Sequence, residues 1–505
     1  MKGRNNMFTY SKFGYNYHNM YYKYDERLSD DYSVTVNGEE VPVYTCRISK
    51  YPFNRAWPGY QRSAAQTDVV SFVNIISDEK LDFKVKVKFP YEKIMIRPYS
   101  KEISYVDNDG EVSFTIENEG GYVFAPDDFH HTLYIFNSKP VESPKEDEVT
   151  YYFGPGVHMP GKITLHDNES VYVDKDALVF GCVYAENAEN LHIFGNGLFD
   201  DASEGRVDGR CYENTTNGNI KFYDCKNVRV EGVLFRDSAC WCVNIFHCEG
   251  VLIDNIKVFG QWRYNTDGVD IVNSRDITVK NSFIHSFDDT ISIKGIEEYM
   301  EYDVENILVE NCVLWCDWGN TCEVGIETLC RSYKNITFRN SDIMKGGFSA
   351  LDVNNGNTAE ISDVVFENLN VEYNAFDTEP VTQTEEDMVY PNPEGIWAPK
   401  LIRIRNVDMV KIYPTVQPYT KDIDMTGVRQ GDIHNVTIRN IKVHYDEEIP
   451  KTDGKYNTLI YINNLRDNAE ISDITISGIT VNGVALDKEN ALLDIGDIKN
   501  FTFKR

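Results

Sequence analysis

At 505 residues the chain exceeds one ordinary hydrophobic core, so it calls for two domains or an elongated solenoid. Its hydrophobic content of 42% is that of a folded globular protein. Fifty basic against 80 acidic residues leave a formal charge of −30 and a pI near 4.7, which argues against nucleic acid and anionic membranes as partners and disfavours a polyanionic substrate.

The first 22 residues contain no apolar leader-like segment, and no run of about 18 apolar residues occurs anywhere. A soluble, cytoplasmic chain is the expectation, although a secreted chain that has lost its leader reads the same way. The eleven cysteines show no paired CxxC spacing, so no zinc site is expected, and they read as reduced, buried thiols.

Residues 1–145 carry short alternating runs broken by turn signals: Tyr32–Val36 before Asn37-Gly38, then Val69–Ile76, Phe83–Phe89, Val112–Ile116 and Thr132–Phe136. This spacing predicts an antiparallel β-sandwich whose aromatic residues mostly pack its core. The loop Pro52–Arg62 mixes Trp57 and two arginines with Pro and Gly, as a segment docking on a second domain would. A texture change at Pro140–Glu148 reads as a linker.

Over residues 146–505 one theme recurs, a polar turn residue followed by alternating β-branched positions. It begins at Asn190, Asn227, Gly250, Asp276, Asn306, Asn335 and Asp363, spaced 37, 23, 26, 30, 29 and 28 residues apart, with later copies at Asn435 and Asp473. Coils of variable length with almost no helical periodicity predict a right-handed parallel β-helix. The long interval Ala375–Tyr419, with Trp397 and several tyrosines, is expected to wall a groove.

The chemistry concentrates in Tyr264–Gly295. Asp267 in an Asn-Thr-Asp turn precedes the pair Asp288-Asp289 by 21 residues, about one coil, so the three carboxylates should stand on neighbouring rungs roughly 5 Å apart. Such crowding raises the pKa of at least one acid, which is how a general acid is made at neutral pH. Taken singly, each is also an ordinary solenoid turn residue.

That stretch, with Tyr151–Gly161 (YYFGPGVHMPG) and Leu191–Asp200 (LHIFGNGLFD), resembles the glycoside hydrolases of family 28, the polygalacturonases and rhamnogalacturonases. It also resembles family 49, the dextranases and isopullulanases, which the N-terminal sandwich suits better. The resemblance implies inverting hydrolysis of a carbohydrate, with Asp288 as general acid and with Asp267 and Asp289 activating water. Around them Asn265, Lys294, Trp315, Trp318, Asn320, Glu323 and Trp397 are the candidate substrate-binding residues.

Two departures bear on the substrate. Asn320 stands where polygalacturonases carry a His, and the strand Phe348–Val353 lacks their Arg-x-Lys cations. A uronate needs a basic partner, so a neutral, α-linked glycan is expected, unless Arg403 and Arg405 reach the groove. A uronate-cleaving hydrolase, a Ca²⁺-dependent lyase and a non-catalytic glycan-binding solenoid are the alternatives. No nucleotide, flavin or haem motif is present, so no cofactor is expected. Oligomeric state is not legible.

Overall fold

The computed structural model describes residues 8–14, 26–49, 67–205, 218–373, 399–408, 430–445 and 451–505, together with a few short strands between them. Pro52–Arg62 and most of Ala375–Tyr419 lie outside the described residues.

The N-terminal part is a sandwich of two sheets. One orders Tyr105–Asn108, Glu111–Ile116, Leu81–Val87, Tyr32–Val36 and Glu39–Val41. The other is built around Thr67–Ile76 and Leu133–Ser138, which pair in parallel, the one departure among the described strands from an antiparallel pattern. Leu81–Val87 alternates buried and exposed along its whole length, the mark of a strand with one wet face.

From Tyr151 to Lys504 a 31-stranded, almost wholly parallel assembly winds into a β-helix of three long sheets. The coil corners explain the recurring sequence theme. All nine turn residues, Asn190 through Asp473, lie in the left-handed region with φ between 50° and 69°, a conformation that Gly, Asn and Asp tolerate best. The asparagine and aspartate side chains among them stack between coils: Asn227 Nδ2 donates to Asn190 Oδ1 (2.6 Å), Asn306 to Asp276 (2.8 Å) and Asn335 to Asn306 (2.7 Å). After each corner the aliphatic residues point inward. Ile277, Ile307, Ile336, Val364, Val436 and Ile474 form one file in the core of the solenoid.

The sandwich does not hang free. It covers the outside of one helix sheet, where Leu198, Leu234, Phe259, Phe283, Val313, Trp315 and Met344 meet Phe72, Phe129, Tyr134 and Phe136 in one buried cluster. This explains why segments such as Phe283–Ser286 and Val313–Cys316 are buried on both faces. The fit is tight enough that a Cβ on Gly121 would fall 2.3 Å from the Phe283 ring. Ionic clamps cross the same seam: Arg97 pairs with Glu372, and Arg236 Nη1 reaches Glu26 Oε1 at 2.6 Å.

Among the described residues nine cysteines are free and buried, as the sequence suggests, but Cys240 is disulfide-bonded. The reading of uniformly reduced thiols is corrected at that position, which spacing alone does not reveal.

Candidate active site

The site lies on the outer face of the helix sheet formed in order by β1 (Ile220–Tyr223), β2 (Val243–Phe246), β3 (Val269–Val272), β4 (Ile291–Gly295), β5 (Asn320–Thr328), β6 (Ser349–Asn355) and β7 (Lys400–Asn406). Register places Lys221, Asn244, Asp270, Ser292, Glu323, Asp352 and Arg403 in one outward column. Each stands between two core-facing residues, as in Val269-Asp270-Ile271 or Ile402-Arg403-Ile404. A lone polar residue flanked by aliphatics is the strand alternation rule at work.

The carboxylates sit at the corner just before these strands. Asp267 lies two residues ahead of Val269, and Asp289 two ahead of its partner Ile291, so they occupy neighbouring rungs; the Gly268 N–H donates to the Asp289 carbonyl at 2.8 Å. Asp288 precedes β4 in the bend Phe287–Thr290 rather than in a strand. That bend is what lets two successive side chains share the groove side. Ser286 Oγ fastens it by donating to the Asp288 carbonyl at 2.6 Å. Gly319 on the next rung leaves the necessary room, since a Cβ there would lie 2.4 Å from Asp289 Oδ1 and 2.5 Å from Asp288 Oδ1.

Partners sort the three acids. Asn265 Nδ2 donates to Asp288 Oδ2 at 3.2 Å. Asp289 Oδ1 accepts the Asn320 backbone N–H at 2.7 Å and its side-chain amide at 3.3 Å. Lys294 Nζ bonds Asp267 Oδ2 at 2.8 Å and Asp270 Oδ1 at 2.6 Å, stands 4.0 Å from Asp289 Oδ2, and lies 3.9 Å from the centre of the Trp241 ring.

Burial pushes the Asp267 carboxyl well above its ordinary range against the pull of Lys294. It pushes Asp270 up to about 7 in the same way. Burial also works against the charge of Lys294, but Asp267 and Asp270 outweigh it and hold the ammonium protonated. Glu323 is raised well above its usual value by burial and then by the neighbouring Asp289 and Asp352. The groove thus sets buried carboxyls that hold their protons more tightly than usual beside a carboxylate, Asp289, that accepts two N–H donors.

Of the residues singled out in the sequence, Asn265, Asp267, Asp288, Asp289, Lys294, Asn320 and Glu323 come together. Trp318 stands beside them, parallel to the Phe287 ring at 6.1 Å between centroids. Trp315 does not belong: it is 1% exposed, stacks on His285 at 4.0 Å and packs on Phe129 of the sandwich at 4.8 Å. Adjacent strand residues point to opposite faces, and its apolar run is explained by the domain seam. Trp397 has no described side chain. Asp270, Asp352, Trp241, Lys221 and Lys400 were not singled out, though the aliphatic-polar-aliphatic pattern marks the first two and Lys221.

The expectation of a groove without cations is corrected. Arg403 and Arg405 stand one coil beyond the strand Ser349–Asn355, in register with its Asp352 and Asn354. Arg403 holds Asp352 with a two-point grip, Nε to Oδ1 at 2.5 Å and Nη2 to Oδ2 at 2.9 Å, and also reaches Asn320 Oδ1 at 3.1 Å.

A parallel β-helix bearing a clustered-carboxylate groove on one sheet defines the polysaccharide-cleaving β-helix enzymes as a class. The profile of "Glycosyl hydrolases family 28" matches residues 150–458, more than half of the chain, and the chain belongs to that family. Among curated proteins it is 23% identical over 183 residues to "Probable endopolygalacturonase D" of Neosartorya fischeri, covering 36% of this chain and 35% of the relative. It is 26% identical over 185 residues to "Probable rhamnogalacturonase A" of Aspergillus oryzae, covering 35% of this chain and 38% of the relative. The chain thus matches just over a third of the length of these curated relatives. Among solved structures it is similar to "Dex49A from Penicillium minioluteum" at a TM-score of 0.62 and 13% identity, over 98% of this chain and 95% of that one. That likeness includes the sandwich and concerns the fold alone.

Proposed function

We propose that the protein is an inverting glycoside hydrolase acting on a uronate-containing, pectin-type glycan. The hydrolytic part rests on one observation: Asp267, Asp288 and Asp289 converge on two adjacent rungs of a single groove. Asp288 donates a proton to the glycosidic oxygen. Asp289 and Asp267 hold a water on the opposite side of the sugar ring and take its proton. Lys294 opposes the burial that raises Asp267, and the two Asn320 N–H groups anchor Asp289 Oδ1.

The substrate class rests on the charges that flank these acids along the same face. Lys221 stands two rungs before Asp270, roughly 10 Å away along the stack, and on the other side Arg405 stands on β7 with Lys400, whose Nζ lies 4.6 Å from the Phe348 ring. A chain carrying carboxylates on either side of the cleaved bond meets cations at both ends, and the similarity to a probable endopolygalacturonase and a probable rhamnogalacturonase supports this reading. The neutral α-glucan is the second reading, favoured by the Asp352 grip on Arg403, which offsets that charge before any substrate arrives.

Incubation with polygalacturonate, rhamnogalacturonan and dextran, with NMR of the newly formed anomer, separates the two. Release of products of inverted configuration from the pectic polymers, lost in Asp288→Asn, is expected. Cleavage of dextran alone would favour the second reading, and retention of configuration would overturn the mechanism.

A further inference from the structure

We propose that Arg403 is a positioning residue that acts on Asp289 through the side-chain amide of Asn320. This rests on the reading of Asp289 as base, and it concerns how that base is held.

The two ends of an asparagine amide are alike in shape and opposite in chemistry, so its partners decide its orientation. Arg403 has only donors to offer. Its Nη2, 3.1 Å from Asn320 Oδ1, requires the oxygen on that side. The amine end must then face Asp289 Oδ1 at 3.3 Å and Glu323 Oε1 at 2.9 Å. A flipped amide would set N–H against the guanidinium and its oxygen against Asp289 Oδ1. The guanidinium is itself immobilised: Asp352 grips one of its edges at two points, the Phe348 ring lies 4.6 Å from Cζ, and Arg403 is 4% exposed.

The consequence falls on Asp289. Its Oδ1 receives both N–H groups of Asn320, so Oδ2 is the oxygen turned toward Lys294 and the groove. The charged groups around it are Asp288 in the same bend, Asp267 and Asp270 on the preceding coil, Lys294 on β4, Glu323 and Glu327 on β5, Asp352 on β6 and Arg403 on β7. Most of these are acids and disfavour an anion at Asp289. The Asn320 donors favour it, and Arg403 keeps them pointed there.

The test is the pH dependence of kcat and KM on the best substrate for wild type, Asn320→Ala, Arg403→Ala and the double variant. Each single variant should lower kcat, leave KM nearly unchanged and move the acidic limb of the profile up by about one pH unit. The double variant should match Asn320→Ala, because Arg403 has nothing left to act through. A limb that stays in place in Asn320→Ala while activity falls equally at every pH would overturn the proposal. So would additive effects in the double variant, or a rise in KM confined to uronate substrates. Asn320 is half-buried, so Asn320→Ala carries the limb test should Arg403→Ala fail to fold around an unpaired Asp352; Arg403→Met with Asp352→Asn then removes both partners. If Asp289→Asn keeps full activity, the base assignment fails. If it is inactive and the limb does not move in Asn320→Ala, the clamp alone fails.

Discussion

Lys294 Nζ stands 2.8 Å from Asp267 Oδ2 and 2.6 Å from Asp270 Oδ1, a single buried ammonium serving two buried carboxyls. One positive charge cannot fully offset two negative ones in a site where both acids are at most 2% exposed. One carboxyl therefore tends to keep its proton, and stability depends on pH. The folded-state pKa of Asp270 is raised from about 4 to about 7, so the unfolded chain releases that proton first as pH rises. The stabilising contribution is present below about pH 4 and is lost progressively toward pH 7. Asp270→Asn, which resembles the protonated form, should show a flatter fall in melting temperature across this window. Equal slopes for wild type and variant in thermal melts would refute the account.

Asp288→Asn should lower turnover by about 10²–10⁴ with the melting temperature little changed, because the side chain contributes no apolar packing. Steady-state rates with a calorimetric melt check both halves. A variant near wild-type activity would remove Asp288 from the mechanism.

Gly319→Ala tests the geometry without touching a carboxyl. The added methyl would meet the Asp289 and Asp288 carboxyl oxygens at 2.4 and 2.5 Å and the Asp289 backbone nitrogen at 2.6 Å, so the bend that carries the acids must shift, and a thermal melt checks that the fold persists. Activity should fall tenfold or more, since misplacing a reacting group by about 1 Å costs on the order of 10². Unchanged kcat would show that the acids do not need the positions described.

Trp315→Ala should behave as a packing lesion. The ring is buried between Phe129 and His285 at the domain seam, and its removal should cost about 3–5 kcal/mol in denaturant unfolding. The material that folds should keep its KM. A selective rise in KM would return the residue to the groove.

The solenoid and its carboxylate core were legible for different reasons. The coils were readable because each corner needs a left-handed residue and each strand alternates, so Asn190 through Asp473 wrote the repeat into the chain. The acids were readable because their spacing equals one coil. What sequence could not supply was lateral register. Arg403 lies 51 residues beyond Asp352 in the chain yet pairs with it on the next rung, because the intervening residues leave the sheet and return. Trp315 was misassigned for a related reason: it lies three residues from Trp318, but the bend between them sends one ring to the domain seam and the other to the groove.

The asparagine ladder has a consequence for how such a molecule can change. Successive partners on it are 37, 30, 29 and 72 residues apart, yet each pair meets at the same corner with the same backbone shape. The corner therefore records the coil count independently of how much chain is spent elsewhere in the turn. Insertions can lengthen the walls of the groove without shifting the rung on which any catalytic residue stands. The fold separates the ruler from the tool, and new specificities can be grafted onto the groove rim while the carboxylates keep their spacing.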